Sequence, residues 1–279
     1  MHLTGPRQVA NCFPPVSTSV LNSGTFPRRL SALGWKPQVY VRGTQLGDGP
    51  AVAIVGARAA TQAAMEQAHQ LARHLATCGV HIVSGGALGI DGAAHRGALA
   101  GGGTTTVVLG SGVDVLYPQR HAELFCEVLA RGGSLVSMRP EGAQPLPGAF
   151  VARNRLIAAL VDAVLVVEAD VQSGSLSTAK AALDLGRHLG ACPGSPGTDR
   201  LIAAGAGIVE DTRDVERLAR GELRHEEPEP LDPTEASVRD AMLAGATSVD
   251  AIVHHTGLAV RAVLRALPRL QSSFHARKQ

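Results

Sequence analysis

The feature that most constrains this chain is a unit that recurs from Ala51 onward: a short apolar run, a glycine-bearing turn, then a helical segment. AVAIVG (51–56) has no polar residue and ends in glycine, the pattern of a strand buried on both faces of a parallel sheet. Thr61 stands where a hydroxyl N-cap opens the helical segment 61–79, and Gly79 closes it. VHIVSGG (80–86) and TTTVVLGSG (104–112) repeat the strand, followed by helical segments within 89–100 and 117–133. SLVSMRP (134–140) reads as a short strand entering a Pro/Gly loop, 153–162 as a helix, AVLVVEA (163–169) as a strand and 175–190 as a helix. ACPG (191–194) closes the set, and 199–211 adds a helix and a last short strand. Strands alternating with helices predict an α/β fold, a parallel doubly wound sheet with helices on both faces.

Composition bounds what such a fold can do. Of 279 residues 45% are hydrophobic, enough for one sizeable α/β domain and a small companion. Aromatics are 3%, so the core must be built from Ala, Val, Leu and Ile. No apolar run approaches the ~20 residues of a membrane span, and MHLTGPRQVA lacks the regions of a signal peptide. A cytoplasmic location with no membrane contact is expected. Net charge is +2, so any contact with nucleic acid must use local rather than global charge. Cys12, Cys78, Cys126 and Cys192 form no CxxC pair; they read as buried small hydrophobes, with neither a zinc site nor a disulfide framework.

The boundaries follow from the same patterns. Residues 1–25 read as a poorly ordered N-terminal segment and 26–223 as the Rossmann-like domain. Within the latter, 26–43 holds a short amphipathic turn or helix and a strand. The acidic, Pro-rich stretch 224–235 reads as a linker, and 236–279 as a small helical C-terminal domain with the look of a helix-turn-helix.

In a doubly wound sheet the ligand sits beyond the carboxyl ends of the strands, where the glycines of this chain concentrate. A Walker loop, GxxxxGK[ST], is absent from the sequence. After the first strand GARAAT replaces GxGxxG, and Ser84 stands where a ribose-binding acid would end the second strand, which disfavours nicotinamide or flavin. What remains are small residues and hydroxyls, each opening a helix whose amides and dipole attract anions. Gly56, Ala57 and Arg58 would bring amides and one guanidinium; Ser84-Gly85-Gly86, Gly110-Ser111-Gly112 and Ser173-Gly174-Ser175 would add donors without bulk. Several anion sites along one sheet edge suit a chain of phosphates better than a compact cofactor, so no cofactor and no metal are expected. The competing reading is that these glycines only permit tight strand-to-helix packing.

With these stretches in place the sequence resembles the DprA/Smf family of bacterial DNA-processing proteins. The resemblance is carried by AIVGAR (53–58), VSGGALGIDGAAHRGAL (83–99), VLGSGVDVLYP (108–118), PGAFVARNRLIAAL (147–160), VLVVEADVQSGSLSTAKAALDLGR (164–187) and PGSP with RLIAAGA (193–206), in order across roughly 26–215. It implies an extended Rossmann fold with a winged-helix-like C-terminal module, a homodimer, and no catalytic activity. It also implies single-stranded DNA binding with little sequence preference, and loading of the RecA recombinase onto that strand in natural transformation. By position, Arg58 would contact phosphate and Phe150 would stack a base. Arg153, Asn154, Arg155, Ser173, Gly174 and Ser175 would shape the same pocket, and Lys180 lies on the helix that follows. The chain departs from the family pattern at Ala57, Ala149 and Asp199, and an acid at Asp199 beside an anion site would repel phosphate.

Plainer roles compete with several of these. Asp91 and His95 share a helix face and read as a helix cap and a packed or hydrogen-bonded imidazole rather than a metal or acid–base pair. Glu168 and Asp170 read as loop-ordering groups rather than a hydrolytic pair. Phe150 could be core, though it falls in a Pro/Gly loop, and Arg153 and Arg155 could form surface ion pairs. His254 and His255 read as a solvated face. The enzymatic alternative is a nucleotide hydrolase of the lysine-decarboxylase-like (LOG) group, whose PGGxGTxxE signature here reads SGSLSTAKAAL, with Lys180 near the place of the acid. A third option is a nucleotide sensor acting through the C-terminal helices.

Overall fold

The computed structural model describes residues 17–21, 26–31, 36–44, 47–223, 232–243, 246 and 248–274. Contacts divide it into two compact units, Met1–Asp199 with Gly207–Arg224, and Arg200–Ala206 with His225–Gln279. The N-terminal part runs β1 (Thr18–Leu21), α1 (Arg28–Ser31) and β2 (Val39–Gly43). The alternating part then runs β3 (Ala51–Val55), α2 (Gln62–Thr77), β4 (His81–Ser84), α3 (Ile90–Ala100), β5 (Thr105–Leu109), α4 (Ala122–Ala130) and β6 (Ser134–Ser137). It continues with α5 (Pro147–Ala159), β7 (Ala163–Val166), α6 (Ser175–Asp184), β8 (His188–Ala191), α7 (Pro196–Ala203), β9 (Gly207–Ile208) and α8 (Thr212–Ala219).

The nine strands form one sheet in the order β1-β2-β6-β5-β4-β3-β7-β8-β9. From β6 to β9 all pairings are parallel, while β1–β2 and β2–β6 are antiparallel. The sheet is therefore the expected extended, doubly wound one, to which β1 and β2 add an antiparallel edge that the sequence reading did not anticipate. Every residue of β3, β5, β6 and β7 is buried, as strands are when helices cover both faces of a sheet. On one face Leu71 and Leu75 of α2, Ile90 and Ala94 of α3, and Val215 and Leu218 of α8 pack on Val52, Ile54, Ile82 and Leu165. Phe125 and Val128 of α4 extend that layer over Val107, Leu109 and Leu135. On the other face α5 and α6 pack together, α5 against β5 and α6 against β7 and β8.

Local expectations fare differently. Thr61 caps α2, its hydroxyl accepting from the Ala64 amide at 3.2 Å. Of the segment expected to be poorly ordered, 1–16 and 22–25 lie outside the described residues, but Thr18–Leu21 pair with β2 and make a strand. Helix α5 begins at Pro147, ahead of the expected 153, because proline at the first helical position has φ already set and loses no hydrogen bond there. The helix expected over 175–190 stops at Asp184, and His188–Ala191 form β8. Leu189, Gly190 and Ala191 are buried, and β8 pairs with β7 from Ala163↔His188 onward. Sheet pairing there overrides a helical pattern that continues in sequence. Cys126 and Cys192 are buried, and burial pushes the Cys192 thiol up to about 12. Cys78 is exposed, against expectation, and Cys12 lies outside the described residues.

In the second unit α9 (Pro233–Leu243), α10 (Val249–Thr256) and α11 (Val260–Phe274) enclose a core of Val238, Ala241, Ile252, Val263 and Ala266. Ser248 caps α10, and Gly257 turns the chain toward α11, giving the expected winged-helix-like module its helices. His254 and His255 are exposed. Of the stretch read as a linker, 224–231 lie outside the described residues. Among the described residues no helix is long and apolar enough to cross a membrane.

One core contact makes stability depend on pH. His95 is fully buried, and its Nδ1 lies 2.8 Å from the Thr105 hydroxyl, which donates to the Ile82 carbonyl. The imidazole therefore carries its proton on Nδ1, and Nε2 has no partner. Burial lowers its pKa to about 3, helped by the nearby His121 and Arg96. The unfolded chain, with an ordinary value of 6.5, takes up the proton first as pH falls, so stability is lost between about pH 6.5 and pH 3. His95 alone should cost about 2 kcal/mol at pH 5 relative to pH 7. Urea midpoints at both pH values should show that loss in the wild type and a loss smaller by that amount in His95→Gln; equal losses would refute the assignment.

Candidate functional site

Strand order reverses at β3: β4, β5 and β6 lie to one side, β7, β8 and β9 to the other. Connections leaving such a point diverge to opposite faces and open a crevice beyond the carboxyl ends of the strands. The structure has a cleft of about 720 Å³ there. Gly56, Ala57 and Arg58 line it from the end of β3; Phe150, Arg153 and Asn154 from α5; Ser173, Gly174 and Ser175 from the loop between β7 and α6.

The floor is built round a buried cation. Arg153 is only 7% exposed. One guanidinium nitrogen donates to the Gly85 carbonyl at 3.0 Å and the other to Asn154 Oδ1 at 3.1 Å, while Nε has no partner. The Asp91 carboxylate is 4.0 Å away, close enough for charge attraction but too far for a hydrogen bond. Burial holds Arg153 below the ordinary arginine range, with Asp91 opposing the shift. Burial likewise pushes the Asp91 carboxyl up, with Arg153 and the Ala87 amide opposing it. Asp91 thus does serve the start of α3, accepting from Ala87 at 3.2 Å, but its larger task is to balance Arg153. Arg153 is not a surface ion pair.

Asn154 extends this floor to the opposite wall. Its Nδ2 donates to the Gly174 carbonyl at 3.1 Å and to Ser177 Oγ at 2.6 Å, and the Ser173 and Ser175 hydroxyls are 2.7 Å apart. The loop at the start of α6 is thereby tied to α5. Glu168 orders the loop after β3, accepting from Thr61 N–H at 3.1 Å and Thr61 Oγ1 at 2.6 Å.

Phe150 is half-buried in the first turn of α5, not in a loop, because the helix begins at Pro147. Its ring lies against Gly110, where an added Cβ would come within 2.9 Å of Cδ1. The guanidinium carbons of Arg58 and Arg153 lie 5.3 Å and 5.7 Å from its centroid, within cation–π range. Tyr117 approaches at 6.0 Å between centroids, tilted by 49°. An aromatic ring flanked by two cations and a wall of hydroxyls favours a partner that is flat and apolar in one part and anionic in another.

The structure brings together Gly56, Arg58, Phe150, Arg153, Asn154, Ser173, Gly174 and Ser175, and leaves other expected residues outside the lining. Ser84 is buried with its hydroxyl donating to the Ile54 carbonyl at 2.6 Å. Gly85 lies under Arg153, and the Gly86 carbonyl meets His121 Nδ1 at 3.0 Å. Gly110 supports Phe150. The Gly112 amide donates to the Ala143 carbonyl at 2.8 Å, and the Ala57 amide to the Glu168 carbonyl at 2.7 Å, so neither is directed at an anion. Arg155 and Lys180 are exposed and outside the cleft. Asp199 is also outside it, its carboxylate accepting from the Gly194 amide at 2.9 Å, and is not a wall that would repel phosphate. The expected track along four strand ends is thus one cleft with supporting glycines behind it. Asp91 as the partner of Arg153 was not legible, since nothing local links α3 to α5. Tyr117 was missed because it read as the opening of the helical stretch 117–133, and only the structure sets its ring beside Phe150. No set of three His, Cys, Asp or Glu donor atoms converges in the cleft among the described residues. The LOG alternative loses its footing, since α6 carries Lys180 on its exposed side and brings no acid to the cleft.

Known proteins match most of the chain. The family described as DNA recombination-mediator protein A matches residues 17–219, and the DprA winged helix domain matches 223–271. A DprA-type DNA processing protein of Mycobacterium tuberculosis is 40% identical over 236 residues, covering 79% of this chain and 60% of its own length. Protein Smf of Escherichia coli is 43% identical over 170 residues, 59% of this chain and 46% of Smf. The chain therefore spans about half to three-fifths of the length of these relatives. Among solved structures, DNA processing protein A of Helicobacter pylori, described for its single-stranded DNA binding mode, superposes with a TM-score of 0.64 at 32% identity, covering 73% of this chain and 96% of that one. DprA of Streptococcus pneumoniae gives 0.64 at 34% identity, covering 74% and 75%.

The packing of Arg153 over Gly85 can be tested directly. A Cβ on Gly85 would overlap the guanidinium, so Gly85→Ala must displace a buried charge from its acceptors. Loss of about 1–3 kcal/mol is expected from the overpacking, read as a lower urea midpoint at unchanged m-value. An unchanged midpoint would show that Arg153 does not rest on Gly85.

Proposed function

Because this chain belongs to the DNA recombination-mediator protein A family, we propose that the cleft at the carboxyl ends of β3 and β7 holds single-stranded DNA by its phosphates and by one stacked base. The observation that carries this reading is the Phe150 ring with Arg58 and Arg153 beside it. A base offers a π-face to Phe150 whatever its identity, contributing about 1–3 kcal/mol without sequence preference. Arg58, exposed at the mouth, supplies a charge-assisted bond to phosphate of about 1.5–3 kcal/mol. Arg153, already engaged with Gly85, Asn154 and Asp91, shapes the floor and adds a fixed positive field. Ser173 and Ser175 at the start of α6 offer their hydroxyls to the next phosphate, beside a backbone that Gly174 keeps free of bulk. The unpaired strand fits because its bases are free to turn onto the ring.

The same reading extends to partners. The chain acts as a homodimer that passes the bound strand to the RecA recombinase, as natural transformation requires, and makes or breaks no covalent bond in doing so. RecA loading would appear as faster ATP hydrolysis by RecA on strands precoated with a single-strand-binding protein.

Binding can be read by fluorescence anisotropy with a labelled oligonucleotide. Single-stranded DNA should bind more tightly than duplex, with affinity falling about 0.7 log units per log unit of salt for each phosphate engaged. Phe150→Ala should weaken binding roughly 5- to 150-fold with the salt slope intact. Arg58→Ala should weaken it and reduce the slope by about 0.7. Unchanged affinity in both variants would refute the cleft as the site, and release of free base from nucleoside monophosphates would refute the non-enzymatic reading.

A further inference from the structure

A second chemical constellation lies at the other end of α2. His74 and Cys78 are one helical turn apart at the carboxyl end of this helix, and Glu216 reaches them from α8, which packs across it. His74 Nε2 is 2.5 Å from Glu216 Oε1; Cys78 Sγ is 3.9 Å from each. Among the described residues this is where three donor atoms of His, Cys, Asp or Glu converge, all within 4.8 Å of one another. We propose that His74, Cys78 and Glu216 bind a zinc ion that joins the end of α2 to α8.

The geometry favours a metal over two competing roles. In a nucleophilic triad the acid holds one imidazole nitrogen while the thiol uses the other. Here the carboxylate and the thiol both face Nε2, so the three atoms meet at a point instead of forming a relay. An ion pair alone would account for His74 and Glu216 but leaves Cys78 unexplained, exposed beside them. Zinc bond lengths of about 2.0–2.3 Å at tetrahedral angles place ligand atoms roughly 3.3–3.6 Å apart. The sulfur is already near that separation, and His74 and Glu216 need to part by less than about 1 Å.

The surroundings suit the ion. Arg220 donates to the second carboxylate oxygen of Glu216 at 2.9 Å and fixes its direction, as outer partners of metal ligands do. The dipole of α2 places partial negative charge at this end of the helix. Thiolate with imidazole selects zinc over magnesium or calcium. On binding, the Cys78 thiol gives up its proton, Zn–S and Zn–N bonds form, and the carboxylate and thiolate offset both charges of the ion. Three protein ligands leave the fourth position to water. The 16 residues of α2 put this site about 24 Å from Thr61 at the cleft end of the helix, so zinc binding and DNA binding are separable measurements.

The untagged full chain, cleared with chelator, should bind one zinc ion at this site by equilibrium dialysis, with a rise in melting temperature. Cobalt(II) in its place should show a near-ultraviolet thiolate-to-metal band and visible bands of tetrahedral coordination. Cys78→Ser, at an exposed position that keeps the fold, should abolish the thiolate band. His74→Ala and Glu216→Gln should each weaken zinc binding by roughly 100-fold or more, beyond the 10- to 100-fold loss usual for an outer partner. A wild type that binds no more zinc than Cys78→Ser, or a cobalt complex without the thiolate band, would overturn the proposal.

Discussion

The position of β3 at the middle of the sheet governs the rest of this molecule. Parallel strands must be joined by right-handed crossovers. As the chain steps from β3 through β4 and β5 to β6, those crossovers lay α2, α3 and α4 on one face. It then returns past β3 to β7 and proceeds to β8 and β9 in the opposite direction, so α5 and α6 must lie on the other face. Beyond the tips of β3 and β7 no helix can cover both sides. A cleft there is a consequence of handedness and strand order, available before any side chain is specified.

What the side chains add is a buried charge in that cleft. Removing a guanidinium from water is costly unless acceptors and a counter-charge replace the lost hydration. Arg153 recruits them from three elements: the Gly85 carbonyl after β4, Asn154 beside it on α5, and Asp91 on α3. Asn154 in turn fastens the loop leading into α6. The cleft floor is therefore rigid for the same reason that it is charged, and Phe150 sits on a support that does not have to be organised when a ligand arrives. Arg58, by contrast, is exposed at the mouth of the cleft, over the Phe150 ring. The C-terminal unit has its own small core, so it does not depend on the sheet for its interior.

Much of this was legible in the chain. Buried parallel strands announce themselves by uninterrupted apolar runs, as in Ala51–Val55 and Ala163–Val166, and Thr61 marked the start of its helix by a rule that is local. The order of glycine-bearing motifs pointed to the family, and eight of the residues expected at the site do line one cleft. The failures lie where a distant partner overruled a local preference. His188–Gly190 continued a helical pattern that pairing with β7 overrode, and β1 formed where β2 offered it an edge. Pro147 was available as a helix start but was read as loop, which misplaced Phe150.

The sequence by itself determined the class of fold, the end of the sheet at which the cleft opens, and the residue types available there. Those depend on periodicity, turn chemistry and charge, which act over a few residues. Only the tertiary structure decided which glycines line the cleft and which merely make room, as Gly85 does for Arg153 and Gly110 for Phe150. It alone paired Asp91 with Arg153 and set Glu216 beside His74 and Cys78. Such meetings depend on how helices pack across the sheet, and no local rule along the chain carries that distance.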